Sequence, residues 1–516
     1  MRTKFAMKNI FVGLVSQLII VLLGFISRKV FINSLGSEYL GINGVMTNVL
    51  SMMVLIESGI GISIVYNLYK PLAENDYSKI NTLVFMYKKA YFILAVIMSL
   101  VSLGLYPFLN YFMKLEQPIP GLGLVYFIFV MKNIISYLNA YKWALINADQ
   151  RGYVIARSNM VFQILTTIAK IIVLVKTESY ILFLIVEILI FIMQNLINTF
   201  IVRRRYPYLN KRNVVPLDKE TTANINQNVK AMFFHNIGGY LVTSTDNLLI
   251  SALVSVKAVG LYSNYTMIIS QLSALLTPIT SGISASVGNL IATESKEKTY
   301  SIFKTSYLIS FWIYGFATIF LFNLLEPFIS WWIGEKYLLD KSVLIVILLN
   351  FYIAGMRGPI STFKNKAGLF VQDKYVSIFE GVINLIGSII LIKRFDFIGV
   401  FLGTTLSTIL TVFWTQPKVV YKELFQKSLK IYFVDYFKYL IILVFNLTIT
   451  TIICSNIIGY TFVSLVIRGL ICISVPNIIF LILFLRTKEV KYLLKILKNQ
   501  IVNKINFKYE EKRSIC

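Results

Sequence analysis

Eleven ionisable side chains interrupt stretches of this sequence that are otherwise long and apolar. The cations are Arg28, Lys29, Lys132, Lys142, Lys170, Arg357 and Arg468, and the anions are Glu57, Glu187, Asp246 and Glu380. A charge at the centre of a bilayer costs roughly 2.5–3.5 kcal/mol on insertion scales, so such a group faces a bundle interior or a wet cavity and finds a partner there. Cations outnumber anions, and a cavity lined by Arg28, Lys29, Lys132 and Arg357 suits a phosphorylated substrate. Arginine can hold phosphate through two parallel hydrogen bonds, which a lysine point charge cannot. Glu57, Asp246, Glu187 and Glu380 suit coupling to H⁺ or Na⁺, or pairing with the cavity cations. A plainer reading stays open for all of them, because ion pairing is how intramembrane charges are commonly tolerated. For Arg28 and Lys29 it also includes snorkelling to the headgroups. Lys142 and Lys170 lie near span ends and are expected to snorkel, whereas Lys132 and Arg357 lie near mid-span. Arg468 is expected to meet a structural partner.

The elements that carry these charges follow from composition. The chain has 516 residues, of which 57% are apolar and 14% charged, with a mean hydropathy of +0.72. A soluble domain carries about 25% charged residues. The apolar runs do not alternate as barrel strands do, so the fold class is all-α and polytopic, since lipid admits only helices or closed barrels. The net charge of +26 resides in short loops, where orientation and contact with anionic membrane lipids explain it better than nucleic acid does. The single histidine, His235, excludes a multi-histidine metal site, and the three cysteines form no paired or metal-binding pattern. No phosphate-binding loop, nucleophile elbow or metal-binding helix motif is present, so neither a cofactor nor an enzymatic centre is expected.

Apolar length predicts fourteen spans: 9–33, 39–68, 83–112, 121–145, 154–175, 180–202, 230–253, 260–292, 302–325, 341–362, 375–392, 398–417, 435–456 and 460–485. Met1 to Lys8 and the run after it resemble a signal peptide, but the run is long and lacks a small-residue cleavage site, so it is read as a retained first helix. With the N-terminus inside, most Lys and Arg fall in inside loops and termini, as the positive-inside rule requires. This organisation predicts a six-helix lobe over 1–202, a cytoplasmic connection over 203–229 and a second six-helix lobe over 230–420. Two further helices follow over 435–485, and then a basic tail over 486–516. In the tail, Val490, Leu493, Leu494, Leu497 and Ile501 share one face with lysines alongside, the pattern of a helix lying on the inner leaflet. Tyr69 to Asp76 reads as an inside loop, and Ser330-Trp331-Trp332-Ile333-Gly334 as an interfacial aromatic anchor.

The halves repeat weakly. Leu35 to Gly41 matches Leu253 to Gly260, and Gln150 to Val154 matches Gln372 to Val376, with offsets of 219 (Gly41 to Gly260) and 222 (Tyr153 to Tyr375). Parallel repeats place a cavity between the halves that opens to each side in turn. Offset 219 pairs Arg28 with Asn247, next to Asp246, so an Arg28–Asp246 contact is expected.

The opening, Lys8-Asn9-Ile10 through Arg28-Lys29-Val30-Phe31 and then Leu35 to Gly44, resembles polysaccharide flippases of the Wzx type. These belong to the multidrug/oligosaccharidyl-lipid/polysaccharide exporter superfamily. Glu57-Ser58-Gly59-Ile60-Gly61, Tyr69-Lys70-Pro71-Leu72 and the Asp149-Gln150-Arg151 loop extend the likeness, and its wording is similar to capsule-locus members. The resemblance implies two six-helix lobes in a V around a central cavity, and movement of an undecaprenyl-diphosphate-linked oligosaccharide from the inner to the outer leaflet. Arg28 is the position that matches a first-span cavity arginine of the related lipid II flippases. The extra helix pair resembles the one that forms a lipid-tail groove in those proteins, whereas Wzx-type chains more often have twelve spans. A lipid II flippase, a multidrug antiporter and, from another class, a membrane-embedded polymerase or ligase are the competing readings. Glycosyltransferases or a polymerase are candidate partners of the tail.

Overall fold

The computed structural model describes residues 2–51, 60–115, 119–149, 151–210, 245–369 and 372–495. Among them the regular structure is helical throughout, with no strand. Eleven helices are long and apolar enough to cross a membrane, and they correspond to eleven of the expected spans. Of the other three, 39–68 and 230–253 include residues outside the described set, and 260–292 lies within one helix, Val256–Thr293.

The chain forms two compact units, one of residues 1–263 with 388–400 and the other of 264–387 with 401–516. The first holds α1 (Arg2–Leu35), α2 (Ser37–Ser51), α3 (Ile60–Glu74), α4 (Tyr77–Leu105), α5 (Leu122–Ala148), α6 (Gly152–Thr177) and α7 (Tyr180–Arg205). A short helical turn, Asp246–Leu249, and the start of α8 (Val256–Thr293) also belong to it. Helix α1 packs chiefly on α6, and α5 packs on both α4 and α7. The expected loop 69–76 is mostly helix, because α3 continues through Pro71 to Glu74. The turn is confined to Asn75, with φ 57°, and Asp76, whose carboxylate accepts from Lys79 N at 2.9 Å and caps α4. On the other side of the bundle, Glu178 in the left-handed region and the Ser179 cap turn α6 into α7.

The second unit is built around α9 (Lys296–Trp332), which packs on α10 (Lys341–Lys366), α13 (Leu429–Ser455) and α14 (Phe462–Phe484). It also holds most of α11 (Val376–Phe395) and of α12 (Ile398–Leu410), which continues to Phe425. Its core is aromatic: Phe303, Tyr307, Phe311, Tyr352, Tyr432 and Phe480 are all buried. Phe311 stacks on Tyr439 at 4.5 Å between centroids, and such pairs add about 0.5–1.5 kcal/mol beyond area burial. The expected aromatic anchor divides: Trp331 is exposed and reaches Phe462, whereas Trp332 is buried. Residues 488–495 of the tail are helical. Val490, the first residue of its apolar stripe, is built into the aromatic core rather than left for lipid. Leu497 and Ile501 lie outside the described residues.

Candidate functional site

Arg28 sits two turns before the end of α1. Its Nη1 donates to Ser263 Oγ at 2.9 Å, and Ser263 Oγ in turn donates to Gly260 O at 2.7 Å. Among the described residues no carboxylate pairs with Arg28, so a half-buried guanidinium keeps its full charge with only a neutral hydroxyl in front of it. Lys29, one residue on and turned by 100°, is exposed.

The expected Arg28–Asp246 contact is absent among the described residues, and Asp246 Oδ1 is buried without a hydrogen-bond partner. The reason is helical phase. Offset 219 makes Asp246 the counterpart of Ser27, and one residue rotates a helix by 100°. Glu57 lies outside the described residues, as does His235.

The start of α2 and the start of α8 meet backbone to backbone beside this pair. A Cβ added to Gly41 would lie 1.9 Å from Val256 O, and one added to Gly260 would lie 1.9 Å from Ser37 O. Only glycine permits this approach. The two contacts are the same contact under the repeat offset, since Ser37 and Val256 are counterparts and so are Gly41 and Gly260. Residues that stand out in sequence as matching loop ends are therefore in contact.

Two of the remaining membrane-depth cations of the first unit share one anion. Lys132 on α5 and Lys170 on α6 both reach the Glu187 carboxylate on α7. Lys170 also lies over the Phe183 ring at 4.0 Å, and that ring packs on Phe31 of α1 at 5.0 Å. Lys170, expected to snorkel, thus pairs instead with a carboxylate on the neighbouring helix. Lys142, expected to do the same, is buried against Asn139 and Thr199. In the second unit, Arg357 Nη1 donates to Glu380 Oε1 at 3.1 Å and Thr408 Oγ1 donates to the same oxygen at 3.3 Å. One turn along, Asn384 Nδ2 donates to Thr404 Oγ1 at 2.9 Å. Arg468 Nη2 donates to Ile457 O, a structural partner of the expected kind.

Sequence reasoning missed three contacts. Lys304 pairs with Asp435, and Lys364 with Asp373, whose side chains are largely buried. The third is Ser263, a hydroxyl inside a span that carries no signal of its own. At the C-terminal end of α7, Tyr206 Oη donates to Asp149 Oδ2 at 2.8 Å, and Arg151 pairs with the same oxygen at 2.9 Å. Burial and the adjacent carboxylate raise the Tyr206 hydroxyl above its ordinary pKa.

A family model described as polysaccharide biosynthesis protein matches residues 6–283, more than half of the 516. The chain belongs to the polysaccharide biosynthesis protein family. No curated protein sequence matches it significantly. Among solved structures, the lipid II flippase MurJ in an inward closed conformation matches with a TM-score of 0.61 at 12% identity, over 92% of this chain and 99% of that one. An inward-facing multidrug resistance MATE family transporter of the MOP superfamily gives 0.57 at 13% identity, over 79% and 98%. A variant of the Vibrio cholerae MATE transporter VcmN gives 0.56 at 13%, over 83% and 99%. At these identities the likeness is one of fold. Together, family and fold make this polysaccharide biosynthesis protein a multi-pass helical membrane protein with the fold of those structures.

Proposed function

We propose that this member of the polysaccharide biosynthesis protein family carries an undecaprenyl-diphosphate-linked oligosaccharide repeat unit from the inner to the outer leaflet of a bacterial plasma membrane, for capsule or another surface polysaccharide. The single observation that carries the reading is Arg28, a membrane-depth guanidinium that, among the described residues, meets a serine hydroxyl and no carboxylate. A headgroup with two phosphates cannot cross hydrocarbon unaided, because each buried unpaired charge costs several kcal/mol. A guanidinium waiting in the cavity removes part of that cost and offers bidentate geometry to the diphosphate. The polyprenyl tail stays in lipid, and the chain performs transport rather than catalysis.

The other expected cavity cations take lesser roles in this reading. Lys132 and Arg357 already have carboxylate partners, so each meets the substrate only by exchanging one anion for another. Lys29 is exposed beside Arg28 and is the weaker phosphate holder, as a point charge. Glu380 and Glu187 hold cations in place, and Asp246, with an unpartnered buried oxygen, is the carboxylate best suited to take up H⁺ or Na⁺ during transport. The lobes are 1–202 and 230–420 joined by 203–229, with both termini cytoplasmic and the tail against anionic lipid, in reach of glycosyltransferases or a polymerase. The test is reconstitution in proteoliposomes with a fluorescent undecaprenyl-diphosphate disaccharide and a membrane-impermeant reductant that quenches only outer-leaflet dye. Equal exposure of both leaflets within minutes, lost in Arg28→Ala, is expected. Exposure no faster than in protein-free vesicles, or a rate unchanged in Arg28→Ala, would overturn the proposal.

A further inference from the structure

Ser263 occupies a singular position. It lies on α8 three residues after Gly260, within the first turn beyond the glycine crossing. Its hydroxyl has one proton, which goes to Gly260 O at 2.7 Å. That leaves lone pairs directed away from its own helix, and Arg28 Nη1 donates to them at 2.9 Å. The glycine crossing fixes the position of α8 relative to α2, since the contact on both sides is backbone and has no rotamer freedom. α1 and α2 are joined by one non-helical residue, Gly36, at φ 85°. The place of Ser263 before Arg28 is therefore set by rigid elements rather than by side-chain choice.

The chemistry of the pair is asymmetric. A neutral hydroxyl satisfies one of the five guanidinium donors and none of its charge. A carboxylate in the same place would hold the guanidinium far more strongly and compete with any anionic ligand. The other cations that approach a carboxylate at depth in this unit, Lys132 and Lys170, are held that way. Among the described residues, Arg28 is held in position without a carboxylate to neutralise it.

We infer that Ser263 is a positioning residue for diphosphate recognition. It is the resting acceptor that keeps the Arg28 guanidinium oriented in the empty protein and yields it to an entering phosphate. This rests on the reading that Arg28 meets the diphosphate. It assigns a role to a hydroxyl that composition and spacing leave unmarked, and it sets a requirement on this position: a neutral acceptor of hydroxyl size.

The experiment uses the full chain in lipid nanodiscs, with undecaprenyl diphosphate lacking any sugar as the probe and affinity read by thermophoresis. Ser263→Asp is expected to weaken binding by tenfold or more, because an ion pair now competes with the ligand. Ser263→Thr, which keeps the acceptor, is expected to bind as the parent does. Ser263→Ala, which frees the guanidinium but leaves it unoriented, is expected to shift affinity by no more than about threefold while slowing flipping in the proteoliposome assay, a split that general unfolding does not produce. Arg28→Ala is the reference arm. If Arg28→Ala weakens binding while Ser263→Asp does not, the positioning role falls and the functional reading stands. If Arg28→Ala leaves binding unchanged, the functional reading itself falls. Equal loss in Ser263→Asp and Ser263→Thr would indicate a packing role and would also overturn the inference.

Discussion

The glycine crossing gives a prediction with a magnitude that can be worked through. Gly260→Ala places a new Cβ 1.9 Å from Ser37 O, where ordinary contacts begin at 3.4 Å. The helices must therefore part by roughly 1.5 Å, and neither side has a rotamer that relieves the clash. Overpacking costs about 1–3 kcal/mol, and a rigid contact lies toward the upper end. Alanine in place of glycine in a helix offsets up to about 1 kcal/mol. The expected net loss is about 1–2 kcal/mol. Gly469 in α14 has nothing within 4 Å of its would-be Cβ, so Gly469→Ala is the control and should stabilise by about 0.5–1 kcal/mol. Gly41→Ala should behave as Gly260→Ala does. The double variant should lose clearly less than the two single losses together, because the first substitution has already separated the helices. Unfolding in SDS-containing mixed micelles can be followed with a fluorogenic maleimide, since Cys454 and Cys472 are buried free thiols. Fully additive losses, or a Gly260→Ala stability equal to that of the control, would refute the reasoning.

Further outcomes follow from the ion pairs and caps. Glu187→Gln leaves Lys132 and Lys170 without their shared anion and should cost about 2–3 kcal/mol in the same assay, below the 3–5 kcal/mol of a fully buried pair because the Lys132 side chain is 38% exposed. Adding Lys170→Met should recover part of that loss. Lys132→Met should lower undecaprenyl diphosphate affinity less than Arg28→Ala does, as read by thermophoresis, because Lys132 already has an anion. Asp340 caps α10 by accepting from Ser342 N at 2.8 Å and from the Ser342 hydroxyl, and these bonds lower its pKa. Its contribution is thus present above the unfolded value of about 3.9 and lost as pH falls through the lower folded value. Asp340→Ala should therefore unfold more readily than the parent at pH 7, and the difference should shrink at pH 3.

Much of this fold is legible in the residues because bilayer thickness imposes run length, and run length is visible without any knowledge of packing. The limits of that legibility are local. Pro71 reads as a loop, yet α3 carries it as helix, since the turn chemistry is supplied later by Asn75 and Asp76. Lys170 reads as an end-of-span snorkeller because its depth is visible and its neighbour Glu187, seventeen residues away, is not. The Asp246 expectation failed on a single residue of helical phase, a quantity that repeat arithmetic across imperfect offsets does not resolve. Arg28 is conspicuous as a charge in an apolar run, whereas Ser263 is not, because a hydroxyl costs little in a helix and leaves no compositional trace. Matching glycines at 41 and 260 are visible in sequence, but that they touch is a property of the fold.

The most direct test of flipping is a conditional depletion in the parent cell, with Arg28→Ala as a second arm, followed by analysis of which leaflet holds undecaprenyl-diphosphate oligosaccharide. Accumulation on the inner face in both arms is the predicted result and would place Arg28 at the substrate. Accumulation on the outer face would mean that translocation is intact and that a later step, polymerisation or ligation, has been lost. No accumulation, with new sensitivity to cationic drugs, would equally contradict flipping and would point to multidrug export.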